Sequence, residues 1–284
     1  MISVIVPTFN GGRLLLVQLE AILNQAGGRD VEVVVVDDGS TDETRRLLGE
    51  FAAGHRCVRV VDTGGRLGVS GARNVGVRAA AGDRLLFTDH DDLVGDGWLA
   101  AMDKAFDDGA EFVVGTLEFN RLNAHLEAVA DRPVETGPMR TRWLPFAHGR
   151  ACGMSRAAFD AVGGWDEDFR FGCDDVAMSW RLQMAGQAIK PVPDAVVHVR
   201  LRPGLRALAS QRYRYGLSGP MLYRRFRAEG MPRALGPALK RAARIVIVSP
   251  TCATNRTRRR WLVRNGSSLL GSVVGSVRYR TIYL

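Results

Sequence analysis

The stretch "VEVVVVDDGSTDET", residues 31–44, decides the fold class of this sequence. Its run of valines is typical of a buried strand, and the acidic, glycine-containing "DDGS" ends that strand in a turn. Ser40 and Glu43 have the spacing of a capping box, which predicts a helix that begins here and ends at Gly54. The stretch therefore predicts a strand, a turn and a helix in succession.

The same alternation surrounds this stretch. Further strands are predicted at "ISVIVP", "CVRVVD", "RLLFTD", "AEFVVGTLEF", "GRACGMS" and "AIKPVPDAVVHVR". Further helices are predicted around residues 15–23, at "SGARNVGVRAAAG" and at "DDVAMSWRLQMAG". Strands that alternate with helices of this length form a mainly parallel sheet covered on both faces, so the chain is predicted to be an α/β protein.

Polar and acidic residues follow four of these strands, in "PTFN", "DDGS", "DTGG" and "DHDD". Ligands of such sheets bind at the carboxyl ends of the strands, where these segments converge. Asp89 and Asp91 are two apart in an extended segment and point the same way, and Mg²⁺ and Mn²⁺ prefer oxygen ligands. The alternative is an ordinary acidic turn, and Asp92 leaves the exact set of ligands open.

Two other segments suit a nucleotide. Asp38 either belongs to a turn before a capped helix or accepts a hydrogen bond from a nucleobase imide. In "DTGGRLGVSGARNVG", Gly68 lets the backbone approach a nucleotide and Arg73 adds positive charge, or the segment is only a flexible loop. The glycine spacing matches neither the dinucleotide-binding motif nor a P-loop, which disfavours both of those folds.

Asp174 and Asp175 open a predicted helix, where acids interact favourably with the helix dipole. The same dipole helps keep a carboxylate ionised, as a general base requires, and only one of two adjacent residues faces a given atom. His198 lies in the extended "AVVHVR" and is either structural or, if the strand returns to Asp91, an additional metal ligand.

The bulk composition bounds the class of protein. The 284 residues are 46% hydrophobic, which is enough for a sizeable core. Four scattered cysteines without a CxxC pair indicate reduced thiols in a cytosolic protein. The N-terminus resembles a first strand rather than a signal peptide, and with no run of 18 apolar residues a transmembrane helix is not expected.

The C-terminal segment differs sharply in charge. Residues 199–284 contain 19 Lys and Arg but one acid, Glu229, whereas residues 1–198 contain 20 Lys and Arg and 29 acids. Its helical character is predicted to break near Pro203, Pro220, Pro232 and Pro250. Three interpretations are open: an appendage packed on the core, a helix lying in a membrane surface, or a nucleic-acid-binding segment. We favour the membrane surface and expect no nucleic acid.

Five segments together resemble family 2 glycosyltransferases, which have a GT-A fold. They are "SVIVPTFN", "VEVVVVDDGSTDET", "GVSGARNVGVRAAAGDRLLFTDHDD", "GMSRAAFDAVGGWDEDF" and "CDDVAMSWRLQMAG", in the order and approximate spacing of the family. The resemblance covers about residues 1–200 and implies a GT-A domain there, followed by a basic, mostly helical extension at 201–284. It implies an enzyme that transfers a sugar from a nucleotide diphosphate donor with inversion at the anomeric carbon.

The resemblance also assigns residues. The nucleoside pocket would be lined by Pro7, Phe9, Asn10, Asp38 and Arg73. Asp91 would be the metal ligand, with Asp89 near the ribose or the metal. Asp175 would be the catalytic base, since Arg181 lies six residues on as in the family. This dyad is Asp-Asp rather than the usual Glu-Asp, so Asp174 stays an alternative base. Trp165 and Arg181 would lie on the substrate side.

The implied cofactor is Mn²⁺ or Mg²⁺, and the implied acceptor is a lipid-linked or cell-envelope glycan. The expected location is cytoplasmic and peripheral, at the inner face of the plasma membrane. A glycosyltransferase with a small-molecule acceptor is the first alternative. A nucleotidyltransferase is disfavoured because "PTFNGGRLL" has a single basic residue after the first strand, Arg13. A non-catalytic binding protein is disfavoured by intact acids at all three predicted sites.

Overall fold

The computed structural model describes residues 1–126, 133–170, 172–201, 204–252 and 255–283. The chain divides into two compact units. The first unit contains residues 1–170 and 174–201, and the second contains residues 171–173 and 202–284. The sheet predicted from the sequence lies entirely in the first unit.

The N-terminal half of the first unit is a parallel sheet with its helices. Its strands are β1 (Ile2–Thr8), β2 (Val31–Asp37), β3 (Val58–Asp62) and β4 (Arg84–Phe87). Its helices are α1 (Gly12–Leu23), α2 (Thr44–Ala53) and α3 (Val69–Ala79). The strands lie in the order β3-β2-β1-β4, and every neighbouring pair is parallel. The strand and helix predictions for this half are confirmed.

The second half of this unit continues the sheet with mixed strand directions. Its elements are β5 (Leu93–Val94), α4 (Trp98–Asp107), β6 (Phe112–Glu118), β7 (Glu135–Thr136), β8 (Cys152–Ser155), α5 (Arg156–Ala161), α6 (Asp174–Met184) and β9 (Lys190–His198). The order continues β4-β8-β6-β9-β5, and β7 pairs with β6. β8 is antiparallel to both of its neighbours, whereas β6 and β9 are parallel. The sheet is therefore mixed.

Apolar clusters cover both faces of the sheet. One contains Leu15 and Trp98, and the other contains Phe87 and Met178. Successive valines of β2 alternate between the two clusters, because side chains of a strand point to opposite faces. The expectation of an α/β fold with helices on both faces is confirmed.

The strand register brings the predicted ligand-binding ends together. Asp37 is paired with Thr8 on one side and with Asp62 on the other. Thr88, directly after β4, donates its backbone N–H to the carbonyl of Ile5 in β1. The segments that follow β1 to β4 consequently share one edge of the sheet.

The capping box predicted before α2 is absent. α2 begins after Glu43, whose side chain makes no cap hydrogen bond. Asp42 instead accepts a hydrogen bond from the backbone N–H of Thr44, at 3.0 Å. The Ser40 hydroxyl accepts from the backbone N–H of Asn10, at 2.9 Å, and so joins the loops after β1 and β2. Ser40 thus makes a tertiary contact instead of capping α2, and its spacing from Glu43 could not predict that contact.

The second unit is helical in its described residues. It contains α7 (Leu205–Phe226), α8 (Leu235–Val248), a single 3₁₀ turn at Ser249–Thr251 and α9 (Arg256–Arg278). α7 and α9 pack backbone to backbone through glycines. A Cβ on Gly216 would lie 2.1 Å from the carbonyl oxygen of Ser268, and one on Gly271 would lie 2.1 Å from that of Tyr213. Only glycine fits either position without separating the helices.

The helix break predicted at Pro220 is wrong, because Pro220 lies inside α7. A proline there removes one backbone hydrogen bond. Its ring is buried and packs on α9 beside Gly275, and that tertiary contact offsets the loss. Among the described residues, no helix has the length and apolarity needed to cross a membrane.

Candidate active site

The acidic segment after β4 is held in place by α1. Gln18, which is fully buried, donates to the hydroxyl of Thr88 at 2.9 Å and accepts from the backbone N–H of Val94 at 2.9 Å. Between these two points the chain carries three carboxylates. One oxygen from each of Asp89, Asp91 and Asp92 can be chosen so that all three lie within 4.8 Å of one another. Their closeness makes this segment the candidate cation site.

Asp92 has a different environment from the other two acids. Its side chain is 0% exposed, and its two oxygens are engaged by Arg150 Nη1, at 2.7 Å, and by the backbone N–H of Arg200, at 2.8 Å. Burial raises the pKa of Asp92 to about 7, although the charge of Arg150 opposes the shift. Asp92 thus anchors the segment. Asp89 is partly exposed but has both oxygens paired with arginines, at 3.2 and 3.4 Å, so Asp91 is the acid of the three that is most open to a cation.

Arg73 of α3 connects the acidic segment to the helix that carries the acid pair. Its guanidinium donates to Asp174 at 2.8 Å, to the Gly149 carbonyl at 2.8 Å, and pairs with Asp89 at 3.2 Å. The residue is 3% exposed. Its predicted role was to line a nucleoside pocket, but in this conformation its charge is directed at carboxylates inside the protein. Arg73 therefore fixes two predicted site elements relative to each other.

Asp174 and Asp175 diverge at the start of α6, as expected for adjacent helical residues. The Asp174 side chain is 10% exposed and paired with Arg73, whereas that of Asp175 is 23% exposed and lies 3.8 Å from Nδ1 of His148. Burial, followed by the charge of Asp175, raises the pKa of Asp174 to about 6. Burial acts in the same direction on Asp175, but the contact with His148 outweighs it and lowers the pKa of Asp175. The surroundings thus favour the ionised form of Asp175 more than that of Asp174.

His148 lies between two carboxylates and has no counterpart in the sequence predictions. Its Nε2 lies 3.5 Å from Glu135, and its Nδ1 faces Asp175. Burial disfavours the charged ring, but these two acids outweigh both burial and the charge of Arg150, so the pKa of His148 is raised. The hydrogen bond and charge of the His148 imidazole are the physical cause of the lowered pKa of Asp175.

Arg150 is the second residue that the sequence analysis missed. It pairs with Asp92 at 2.7 Å and with Asp89 at 3.4 Å, and its side chain is 25% exposed. His148 and Arg150 flank Gly149 in "HGR", directly before β8. This segment is irregular, so no repeating pattern in the sequence marked either residue.

Negative charge predominates across this edge, and this bears on whether a cation fits. The acids brought together are Asp89, Asp91, Asp92, Glu135, Asp174 and Asp175. The basic side chains that contact these residues include Arg73, Arg150 and His148, and Arg200 donates to the backbone carbonyl of Asp91 at 3.1 Å. Two partly exposed aspartates, Asp89 and Asp91, offer hard oxygen ligands within this negative field. The residues present therefore fit Mg²⁺ or Mn²⁺.

The predicted nucleoside side lies at the ends of β1 and β2. Asp38 is almost completely buried, and its carboxylate accepts from the backbone N–H groups of Leu67, at 2.7 Å, and Gly68, at 3.0 Å. Gly68 has φ +86°, which explains the glycine. In this conformation Asp38 shapes the loop before α3, and its contact with a nucleobase stays a prediction.

Other residues of that side have defined neighbours. Asn10 accepts from the backbone N–H of Thr41 at 2.9 Å, and the carbonyl of Pro7 lies 3.2 Å from Nδ1 of His90. The guanidinium of Arg66 stacks 3.4 Å above the ring of Phe9. The sequence analysis did not predict Arg66. Its partly exposed stack with Phe9 is a surface on which a nucleobase can lie.

His198 ends β9 and is paired with Leu93, two residues after Asp91, but its ring contacts other side chains. Its Nδ1 lies 2.7 Å from Glu118, and its Nε2 lies 3.1 Å from Arg121. Within the described residues, the group of clustered acids does not include it. β9 does return to the acidic segment, but it makes the contact through Arg200, whose backbone N–H meets Asp92. The role of His198 as a metal ligand stays a prediction.

Trp165 and Arg181, both predicted to face the substrate, support the site from inside. Trp165 is 2% exposed, and its ring lies 4.5 Å from the guanidinium of Arg73. Arg181 donates to the carbonyls of Val162, at 2.8 Å, and Gly164. In this conformation Arg181 holds the loop before Trp165, and Trp165 packs against Arg73. Their substrate contacts stay predictions.

Comparisons with known proteins agree with this geometry. The family described as Glycosyl transferase family 2 matches residues 3–163, and Glycosyl transferase family group 2 matches residues 125–280. Glycosyltransferase GlyG of Streptococcus pneumoniae is 32% identical over 40% of this chain. A poly(ribitol-phosphate) beta-glucosyltransferase of Bacillus spizizenii is 33% identical over 33% of it. A pre-mycofactocin glycosyltransferase of Mycobacterium tuberculosis is 29% identical over 68% of it. These alignments cover only 38%, 15% and 43% of the relatives' own lengths.

Solved structures show the same fold. A mannosyltransferase from Pyrobaculum calidifontis, in complex with GDP-Man and Mn²⁺, superimposes with a TM-score of 0.70 at 22% identity. That match covers 96% of this chain and 86% of the other. Residues 1–349 of S. aureus TarS, in complex with UDP-GlcNAc, give a TM-score of 0.59 at 19% identity and cover 100% and 93%. At these identities the likeness establishes the fold, a GT-A-like mixed sheet with helices.

Proposed function

Because the chain belongs to glycosyl transferase family 2, we propose that it moves a sugar from a nucleotide diphosphate donor to an acceptor hydroxyl, with inversion at the anomeric carbon. One observation carries the proposal: Arg73 ties the clustered acids after β4 to the acid pair that opens α6. A reaction of this type needs a cation at the leaving diphosphate and a base that acts on the acceptor. We assign the acids after β4 to hold the cation and the acid pair of α6 to supply the base.

Asp175 is the proposed base. Its partner Asp174 is bound to Arg73 and more deeply buried, whereas Asp175 is more accessible and is kept ionised by His148. As the acceptor oxygen forms its bond to the anomeric carbon, Asp175 takes the hydroxyl proton. The bond from that carbon to the diphosphate oxygen breaks, and the electron pair leaves with the diphosphate.

Asp89 and Asp91 are the proposed holders of Mn²⁺ or Mg²⁺. When bound, such a cation would offset the charge that grows on the leaving diphosphate. Asp92 keeps the segment in place, through Arg150 and the backbone of Arg200. Arg150 itself is partly exposed beside Asp89, so it is a positive group that the protein offers to the diphosphate.

For the acceptor, we propose a lipid-linked or cell-envelope glycan. The match to a poly(ribitol-phosphate) beta-glucosyltransferase and the structural likeness to TarS support an envelope polymer. A small-molecule acceptor is the second candidate, since the pre-mycofactocin glycosyltransferase aligns with 68% of this chain. The proposed location is the cytoplasm, as a peripheral protein at the inner face of the plasma membrane.

The test is release of nucleoside diphosphate from a panel of sugar nucleotides, with and without Mn²⁺ or Mg²⁺. Cation-dependent release from at least one donor is expected. A chain that releases no nucleoside diphosphate from any donor, with or without candidate acceptors, would contradict the proposal.

Asp175→Asn tests the assigned base with the donor so identified. Transfer should fall about 10²- to 10⁴-fold while donor affinity stays unchanged, because a base acts only in the chemical step. Asp160→Asn, an exposed carboxylate on α5, is the matched control and should transfer normally. An inactive Asp174→Asn beside a normal Asp175→Asn would reverse the two roles.

A further inference from the structure

α8 is a largely apolar helix that buries none of its side chains. Leu239, Val246 and Ile247 are 70%, 72% and 74% exposed. Spacings of seven and eight residues from Leu239 put them on one side of the helix, which forms an apolar stripe. Globular proteins rarely leave such a continuous stripe in water without a binding partner.

The other side of α8 is already in use. Arg241 donates to the hydroxyl of Ser268 at 3.3 Å, and the guanidinium of Arg244 lies 5.0 Å from the ring of Trp261. Both contacts are with α9. They fix the orientation of α8 within the second unit and keep its apolar stripe turned outward.

α9 carries a second exposed stripe. Its members, spaced at helical intervals, are Leu270, Val273, Val274 and Val277, which are 58%, 41%, 37% and 76% exposed. The opposite side of α9 holds Gly271 and Gly275, which pack on α7. An open groove of about 370 Å³ at the end of α9 is lined by Val273, Ser276, Val277, Arg280, Thr281 and Ile282. The same unit thus exposes apolar side chains on two helices.

We propose that α8 lies in the plane of an anionic lipid bilayer, with its Leu239, Val246 and Ile247 stripe inserted among the lipids and the basic residues of the second unit facing the headgroups. The inference deepens the peripheral location proposed above and rests on it, but not on the sugar-transfer chemistry. Charge complementarity identifies the occupant, because residues 199–284 contain 19 basic residues and one acid.

Two other occupants fit the surface less well. Nucleic acid would satisfy the arginines, but its bases stack on aromatic rings, and the two stripes contain only Leu, Val and Ile. A second copy that met this surface face to face would bring another excess of positive charge into contact. A bilayer accommodates both the aliphatic stripe and the cations.

The test uses the full chain and two sets of vesicles, one of phosphatidylcholine alone and one that also contains phosphatidylglycerol. We expect co-sedimentation with the anionic vesicles. Raising salt from about 0.1 M to about 1 M should weaken binding without abolishing it, since salt screens charge but not the apolar contact. Equal or negligible binding to the two vesicle types would overturn the proposal.

The triple variant Leu239→Gln, Val246→Gln and Ile247→Gln removes the α8 stripe. Its affinity for anionic vesicles should fall at least about tenfold. Glutamine suits a helix and the positions are exposed, so the circular dichroism spectrum should not change. Val60→Gln, an exposed valine on β3, is the matched control and should bind normally. Unchanged binding by the triple variant would overturn the role of α8.

The same variants separate membrane docking from self-association. In sedimentation without lipid, wild type and triple variant should have the same mass. A wild-type dimer that the triple variant converts to monomer, without any vesicle binding, would assign the stripe to a second copy. Donor hydrolysis by the triple variant should equal that of wild type, so a failure of the proposed transfer reaction would be seen separately.

Discussion

Arginines are placed in opposite ways in the two units. In the first unit, Arg73 is 3% exposed and lies between Asp89 and Asp174. In the second unit, the first turns of α9 contain Arg256, Arg258, Arg259 and Arg260, all exposed and with no acid in the first turn. Positive charge at a helix N-terminus also opposes the helix dipole. The first arrangement pairs opposite charges inside the protein, whereas the second concentrates positive charge on an exposed surface.

This difference separates two kinds of function. Opposite charges buried at short distances fix the geometry of a catalytic edge, because each side chain has few alternatives. Like charges spread over exposed helices fix no geometry, but they attract any anionic surface and respond strongly to salt. Removing one charged side chain at a time distinguishes a buried, paired charge from an exposed one.

The largest effect is expected from Arg73→Met. The variant would leave Asp89 and Asp174 without their buried partner, and breaking a buried ion pair costs about 3–5 kcal/mol in the free energy of unfolding. Urea denaturation measures the change. Arg78→Met, an exposed arginine on the same helix, is the control and should stay within about 0.5 kcal/mol of wild type. Equal free energies of unfolding for the two variants would contradict the structural importance of the buried Arg73 ion pairs.

An intermediate effect is expected from His148→Gln, measured as the pH dependence of transfer. His148 lowers the pKa of Asp175, so its removal should let that pKa rise. Asp175 must be ionised to accept a proton, and activity should therefore be lost at a higher pH as the solution is acidified. His125→Gln, at an exposed position, is the control. An unshifted acid limb in His148→Gln would remove His148 from this role.

The smallest effect has the opposite sign. Arg258→Gln removes one positive charge from the first turns of α9, where it opposes the dipole and the neighbouring arginines. The free energy of unfolding should rise by about 0.3–1 kcal/mol at low salt, and the gain should shrink as salt is added. Arg264→Gln, near the middle of α9, is the control and should change little. A clear loss of stability in Arg258→Gln would mean that this charge has a partner within the protein.

The sequence was sufficient for the periodic parts of the fold. Valine runs and helical spacings predicted the strands and helices of the first unit, and the acids after β2 and β4 marked the ligand-binding edge. Local pattern works for these features because a strand or helix repeats its signal over several residues. The family resemblance added the roles of Asp91 as metal ligand and Asp175 as base, which stay predictions.

The remaining features depend on contacts between distant residues. His148 and Arg150 lie in an irregular segment before β8, where no repeating sequence pattern identifies them. Trp165 belongs to a motif expected to face the substrate, yet packing against Phe87 places it in the core. His198 lies at the end of the strand that returns to the acidic segment, but Glu118 and Arg121 take both of its ring nitrogens. Only the folded arrangement reveals which partner each side chain meets.

The central claim, that the edge after β4 binds the diphosphate of a nucleotide through a cation, is tested most directly by calorimetry. Nucleoside diphosphates are titrated into wild type, Asp91→Ala and the exposed control Asp96→Ala, each with and without Mn²⁺. The account predicts Mn²⁺-dependent binding to wild type and to Asp96→Ala, and loss of that dependence in Asp91→Ala while the fold stays intact. Mn²⁺-dependent affinity that is unchanged in Asp91→Ala would contradict it.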